Sequence, residues 1–352
     1  MTAVERRTLR PGYEISRIIR GGWQLAGGHG SVDPAAAVAD LMATAGAGIT
    51  TFDCADIYTG VEELIGACRI EIARTHGAEA LAKLRVHTKC VPDLDKLATL
   101  KRADVRSIIE RSLQRLQTER LDLVQFHWWD YAVPGYLEAA HWLEELRREG
   151  KIELLGATNF DTAHTTELLA AGIPIVSMQA QYSLLDDRPE HGLAELCGEH
   201  NVHLLCYGSV AGGFLSDRWL GQPEPKPPLA NRSLTKYKLI IDDFGGWSLF
   251  QELLRALRQI ADRHATDIAS VASRFVLDQP AVAAVIVGAT NRSHLTSNAA
   301  ISAIVLTAQD RDGIAAILGR RHGPAGDSFS LERDRNGPHG SIMKYNLNRA
   351  TT

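Results

Sequence analysis

The sequence predicts a single α/β domain, a closed (β/α)8 TIM barrel, on three observations. Short apolar runs, mostly β-branched or leucine-rich, recur eight times with helical patterns between them. Each connection is long enough to carry a crossover helix, so successive runs pair in parallel. No GxGxxG follows the first run; the glycines of GGWQLAGGHG (21–30) have the wrong spacing for the competing architecture, a doubly wound dinucleotide-binding sheet. A chain of 352 residues lies within the range of one large barrel.

In chain order the expected strands are RIIRGG (17–22), ITTFD (49–53), RVHTK (85–89), LDLVQFH (121–127), IELLGAT (152–158), IVSMQ (175–179), VHLLCY (202–207) and VAAVIVG (282–288). Helical patterns fall at about 34–47, 61–75, 102–118, 135–149, 161–171, 189–200 and 266–278. Asp104 and Asp161 mark helix entries, and Gly150 and Gly172 stand where C-terminal glycines belong. An N-terminal hairpin at about 6–16 is expected to cap the barrel from beneath. Two stretches fall outside the cycle. Residues 209–249 form a long loop after the seventh strand; its GQPEPKPPLANRS segment excludes regular structure and is followed by more regular sequence, and loops of that length are usually functional. The barrel domain therefore spans 1–320, and 321–352 form a tail rich in charge, Gly and Pro, either disordered or folded over the barrel.

Composition excludes several classes. With 45% hydrophobic and 23% charged residues the chain is not disordered throughout. Lys+Arg of 38 against Asp+Glu of 42 leaves no general basic face for a nucleic-acid backbone. The five cysteines (Cys54, Cys68, Cys90, Cys197, Cys206) form no CxxC and fit reduced thiols. The charged N-terminus is unlike a secretory signal, and AVAAVIVGA (281–289) is too short to span a membrane. A cytoplasmic protein with neither nucleic-acid nor membrane partner is expected.

Strand alternation places the chemistry. In RVHTK, Arg85, His87 and Lys89 share one face and Val86 and Thr88 the other. The apolar pair faces the helices, so His87 and Lys89 point inward; Thr51, Asp53, Gln125 and His127 follow by the same parity. Asp53, Lys89 and His127 then converge at the C-terminal strand ends, where barrel active sites are built. By parity alone a structural ion pair closing the mouth is the alternative.

The motifs carry the argument further. DCADIY (Asp53, Asp56, Tyr58), HTK (Lys89), QFHWW (His127), GATNF (Thr158, Asn159), MQAQYSLL (Gln179), LLCYGSVAGGFLSD (from Tyr207) and VIVGATNRSHLTSN (Gly288 to Asn298) together resemble the aldo-keto reductases, in that family's order from about 15 to 300. The resemblance implies reversible hydride transfer between a nicotinamide cofactor and an aldehyde or ketone. It casts Tyr58 as the general acid, Lys89 as the ammonium that lowers the phenol's pKa, Asp53 as the group that keeps Lys89 charged, and His127 as a hydrogen-bond donor to the carbonyl.

The same resemblance assigns Thr158, Asn159 and Gln179 to the carboxamide and Tyr207 to the nicotinamide face. The backbone of Gly208, Ser209 and Val210 would approach the pyrophosphate, and Arg232, in an NRSLTKY segment like the covering belt of potassium channel β subunits, would contact it too. Gly288, Thr290, Arg292, His294 and Asn298 would hold the adenosine end. Thr290 stands where many relatives carry arginine, and Arg292 and His294 are the groups that could compensate; NADPH is favoured over NADH. Trp23, Trp128 and Trp129 are the candidate substrate walls, of which Trp23 and one of the other two are expected to line the site, suiting an apolar or aromatic carbonyl compound. Two further readings stand beside this one. The belt also suits a redox-sensing regulatory subunit with little catalysis. A metal-dependent hydrolase using His87, His127 and Asp53 lacks an HxH or carboxylate-rich ligand set, and Lys89 would repel the cation, so no metal is expected. The natural substrate and the oligomeric state are not legible.

Overall fold

In a computed structural model the chain is described over residues 3–348 except His29 and Thr290. The first regular structure is a hairpin, β1 (Arg6–Arg10) and β2 (Tyr13–Ser16), paired antiparallel. Its turn is Pro11-Gly12, and Gly12 has φ 82, the left-handed position that a Pro-Gly turn of type II requires. Eight parallel strands follow: β3 (Ile18–Gly21), β4 (Thr51–Asp53), β5 (Arg85–Cys90), β6 (Leu121–Phe126), β7 (Ile152–Thr158), β8 (Ile175–Gln181), β9 (His203–Tyr207) and β10 (Val282–Gly288). They close in the order β10-β3-β4-β5-β6-β7-β8-β9, the (β/α)8 barrel.

The hairpin closes the barrel floor. Leu9, Tyr13 and Ile15 pack against inward residues Ile19, Leu123, Val176 and Leu205 in one apolar cluster. Ser16 and Thr51 exchange hydrogen bonds, backbone N–H to side-chain oxygen, at 2.9 and 3.1 Å. Above this floor stands His87, fully buried, its ring stacked on Tyr13 and both ring nitrogens without a partner. Burial, helped by Lys89 and Arg85, pushes its pKa down to about 3. The unfolded imidazole binds its proton near ~6.5. Between those values the unfolded chain binds more protons, so stability rises with pH across the window. Thermal denaturation is therefore expected to show stability falling as pH drops below about 6.5, with a shallower fall in a His87→Leu variant; an identical slope in both proteins would contradict this account.

The crossover helices lie close to their expected spans, with two differences. The second runs Val61–Ala82, continued past the expected end through a break at Gly77 (φ 82, ψ 175). More substantially, helices Arg232–Phe244 and Gly246–Arg263 are absent from the sequence expectation, the first lying inside the stretch 209–249 expected as a loop, although the apolar positions of the second are periodic. Phe250, Leu253, Leu254, Leu257, Ile260 and Ala261 are buried along it. The one-strand-one-helix rule conceals it, because three helices (Arg232–Phe244, Gly246–Arg263, Ile268–Leu277) lie between β9 and β10. They form their own apolar cluster with Phe214, Leu215 and Ile314.

Residues 322–348 run back across the C-terminal ends of the strands. The Arg333 guanidinium donates to the carbonyls of Trp128 (2.5 Å), Trp129 (2.7 Å) and Asn159 (2.7 Å), and to the Tyr131 hydroxyl (2.7 Å). One side chain thus fastens the tail to the loops after both β6 and β7. No helix among the described residues is long and apolar enough to cross a membrane, and no His/Cys/Asp/Glu group there is arranged to hold a metal ion.

Candidate active site

Asp53 ends β4, and its carboxylate is the centre of a buried polar knot. Oδ2 accepts from Lys89 Nζ at 2.8 Å; Oδ1 accepts from Gln125 Nε2 at 3.0 Å and Gln179 Nε2 at 2.6 Å. Lys89 Nζ also donates to the Cys54 carbonyl at 2.8 Å. Burial opposes the ammonium, but Asp53, Tyr58 and Cys54 together outweigh it and leave the Lys89 pKa above its ordinary value. The ammonium stands 5.3 Å from the centre of the Tyr58 ring, and Trp23 meets that ring edge-on at 5.1 Å.

Two expected roles change here. Lys89 does favour the phenolate, yet burial of Tyr58 outweighs it, so the phenol's pKa is raised rather than lowered. Tyr58 therefore stays a neutral O–H donor. The second change concerns His127, whose Nδ1 lies 3.0 Å from the Thr158 carbonyl. A carbonyl only accepts, so the proton is on Nδ1. Burial, then the Arg333 guanidinium, hold the ring neutral, with a pKa near about 3. Its Nε2 is consequently an acceptor, not the donor that the resemblance implied, and no group among the described residues bonds to it.

The residues expected around the nicotinamide lie together at this mouth. Thr158 Oγ1 is buried without a partner. Tyr207 donates from its hydroxyl to Asn159 Oδ1 at 2.9 Å, and Asn159 itself has φ 61. Gln179 departs from expectation in part: its amide donors go to Asp53 and to Gln125 Oε1 (3.1 Å), so it braces the ion pair. Ser209 is fully buried with its hydroxyl on Ser273 (3.2 Å), leaving only backbone for a ligand. Gly208 (φ 79) lies under Tyr237, where a Cβ would come within 2.4 Å of the phenol oxygen. Val210 follows in the same turn. Arg232 donates to the Ile342 carbonyl of the tail at 2.5 Å.

At the far end Gly288 closes β10, and a Cβ there would meet the amide end of Gln24 (Nε2 at 2.0 Å), which would have to swing aside. Arg292 is paired with Asp40 at 2.8 Å. His294 and Asn298 lie in the short helical turns that follow, Arg292–His294 and Leu295–Ala300. Thr290 lies outside the described residues.

The tryptophans separate cleanly. Trp128 is fully buried against Phe126, with Nε1 donating to the Asp130 and Val133 carbonyls at 3.0 Å; it packs as a core residue rather than as a substrate wall. Trp129 faces the mouth, its ring perpendicular to His127 at 4.3 Å.

Sequence reasoning did not find the tail's contribution. Phe329 (φ 61) meets His127 edge-on at 5.6 Å, and Tyr345 meets Trp129 at 5.1 Å. Glu332 accepts from Arg188 at 2.9 Å and lies 3.4 Å from Lys236, whose ammonium stands 5.3 Å from the Tyr207 ring centre. The only sequence signal for this was charge density in LERDR, which has no period to betray a buried partner.

The chain matches the family model "Aldo/keto reductase family" over residues 17–318, and it belongs to that family. It is 27% identical over 320 residues to Aldo-keto reductase YhdN of Bacillus subtilis, covering 87% of this chain and 91% of that one. It is 25% identical over 320 residues to the NADH-specific methylglyoxal reductase of Escherichia coli, covering 85% and 92%. Among solved structures, the holo form of aldo-keto reductase AKR11C1 from Bacillus halodurans superposes with TM-score 0.67 at 25% identity, covering 89% and 96%.

Proposed function

We infer that this protein is a nicotinamide-dependent oxidoreductase that reduces an aldehyde or ketone to an alcohol, with NADP(H) as its preferred cofactor. The observation that carries this is the buried Lys89–Asp53 pair at 2.8 Å facing the Tyr58 ring at the barrel mouth. A buried ion pair is weak evidence for stability but marks a site where a proton donor is tuned.

The residues fit a nicotinamide. Thr158 Oγ1 is an orphaned buried polar atom that the carboxamide would satisfy, and Tyr207 offers a ring to stack on. Asn159 would share the carboxamide; the Gly208–Val210 turn and Arg232 would meet the pyrophosphate; and Gly288, Thr290, Arg292, His294 and Asn298 would surround the adenosine end. When bound, the cofactor supplies or takes the hydride. Tyr58 donates its hydroxyl proton to the oxygen that becomes the alcohol. Lys89 stabilises the phenolate left behind, and Asp53, braced by Gln125 and Gln179, holds Lys89 in place. Trp23, Trp129, Phe329 and Tyr345 exclude water and suit an apolar or aromatic substrate. The test is oxidation of NADPH with an aromatic aldehyde, followed by absorbance. Aldehyde-dependent turnover supports the reading, and cofactor binding without turnover refutes it.

Arg292 and His294 are the groups proposed for the 2′-phosphate, and Asp40 competes for Arg292. An Asp40→Asn variant is expected to lower KM for NADPH by roughly threefold to tenfold, the scale of one exposed charge pair, and to leave KM for NADH nearly unchanged. Equal effects on both cofactors would contradict this placement. The E. coli relative named above as NADH-specific makes the comparison worth running with both cofactors.

A further inference from the structure

On the helix side of β5, behind the mouth, a second buried charge takes no part in the mechanism above. Glu62 stands in the first turn of helix Val61–Ala82 and is fully buried. Its Oε1 accepts from the Thr88 hydroxyl at 2.6 Å, and its Oε2 lies 3.5 Å from Arg115 Nη1. The same Arg115 Nη1 donates to the Asp56 carbonyl at 3.1 Å, and Arg115 Nε pairs with Glu63 at 3.1 Å. Helices Val61–Ala82 and Arg102–Arg115 meet closely here: a Cβ on Gly66 would come within 2.2 Å of the Arg115 carbonyl oxygen. A buried ion pair is often no more stable than apolar residues of the same volume, so its presence calls for another explanation.

Two groups of the proposed mechanism are tied to it. Thr88 directly precedes Lys89 in β5 and points to the opposite face, so its bond to Glu62 holds the strand segment that carries the ammonium. Asp56 belongs to the loop 54–60 between β4 and helix Val61–Ala82, the loop that carries Tyr58. Its carbonyl is fixed by Arg115, and its carboxyl Oδ2 accepts from the Val91 N–H, just past the end of β5, at 3.2 Å. The Tyr58 carbonyl in turn accepts from the Val61 N–H at 3.0 Å, one residue before Glu62. Loop and strand are thus joined from behind through one carboxylate, while in front Lys89 stands 5.3 Å from the Tyr58 ring centre.

We propose that Glu62 is a positioning residue for carbonyl reduction, setting through Thr88 and Arg115 where the Tyr58 hydroxyl stands relative to Lys89. This rests on the carbonyl-reductase reading and deepens it. Glu62 lies across β5 from Lys89, so it acts only through the two elements it joins. Catalysis is steep in geometry, and a misplacement on the order of 1 Å costs about a hundredfold. An apolar pair at Glu62 and Thr88 would fill the same space but supply no directional bond between loop and strand.

The experiment makes two changes at Thr88. Thr88→Val keeps the side-chain shape and loses the hydroxyl; Thr88→Ser keeps the hydroxyl and loses a methyl. Reduction of an aromatic aldehyde is followed by NADPH absorbance, and NADPH affinity by quenching of tryptophan fluorescence. Thr88→Val is expected to lower kcat by roughly tenfold to a hundredfold, with NADPH Kd and aldehyde KM nearly unchanged. Its solvent deuterium isotope effect on kcat is expected to exceed that of wild type, because the proton step is the one slowed. Thr88→Ser is expected to recover most of the wild-type kcat. Wild-type kcat in Thr88→Val overturns the proposal while leaving the reductase reading intact. So does an equal loss in both variants, which would make Thr88 a packing residue, or a loss of NADPH affinity in step with kcat. If Thr88→Val does not fold, Glu62→Leu/Thr88→Val takes its place, since removing both partners leaves neither orphaned. There a lowered kcat with unchanged NADPH Kd upholds the proposal, and wild-type kcat overturns it. If wild type itself reduces no carbonyl compound, the reductase reading fails and the proposal falls with it.

Discussion

Tyr58→Phe is expected to lower reductive turnover by roughly 10²–10⁴-fold, the usual contribution of a positioned general acid, while NADPH affinity stays nearly unchanged. The substitution removes only the hydroxyl; the ring keeps its edge contact with Trp23 and its place beside the Lys89 ammonium. Because burial raises the Tyr58 pKa above its ordinary value, the donor stays protonated through neutral pH. Reduction should therefore show no loss from tyrosine ionisation below about pH 10, the sign opposite to that of an enzyme with a depressed phenol. Steady-state rates and cofactor titrations on the two proteins check this. Retention of wild-type turnover by Tyr58→Phe would remove the residue from the chemistry.

The second large effect is on stability. Arg188 is almost fully buried and bonded on both sides, to Asp186 (Nε at 2.9 Å, Nη2 at 2.7 Å) and to Glu332 of the tail (Nη1 at 2.9 Å, Nη2 at 3.2 Å). Burial alone would raise the Glu332 pKa, but Lys236 and Arg188 hold the carboxyl down to about 2. Arg188→Met leaves buried Asp186 without its cation and Glu332 with Lys236 alone, and losses of about 3–5 kcal/mol are typical of such a break. Urea denaturation is expected to show that loss, with the tail released from Phe329 onward and fluorescence of Trp129 changed. A variant as stable as wild type would mean that Lys236 and solvent replace the guanidinium. The acid dependence has a definite sign. Glu332 has a depressed pKa, so its contribution is present above the ordinary glutamate value of about 4.3 and is lost as pH falls towards 2.

How much of this was legible follows from what each feature depends on. Strand positions were legible to within a residue or two, because burial on both faces writes long apolar runs that no loop needs. Parity then carried Asp53, Lys89, Gln125 and His127 inward correctly, since side-chain direction in a strand is a local property. Helix Gly246–Arg263 was hidden by an assumption about connectivity rather than by weak periodicity. The His127 tautomer depended on which nitrogen meets the Thr158 carbonyl, a contact between two strand ends 31 residues apart. The Tyr58 shift depended on the balance of burial against Lys89, and residue identity reports only the second term. The tail was least legible. Phe329, Glu332, Arg333 and Tyr345 meet partners far away in sequence, and their segment carries no repeat from which a packed face could be read.

The central claim is hydride transfer at this mouth, and the most direct measurement follows the hydride itself. NADPH carrying deuterium at both C4 positions is incubated with the protein and an aromatic aldehyde, and the alcohol is analysed by mass spectrometry. The account predicts an alcohol bearing one deuterium on its carbinol carbon, formed by wild type and reduced to a trace in Tyr58→Phe. No labelled alcohol from a protein that demonstrably binds NADPH would contradict it and leave a cofactor-binding sensor as the reading to pursue.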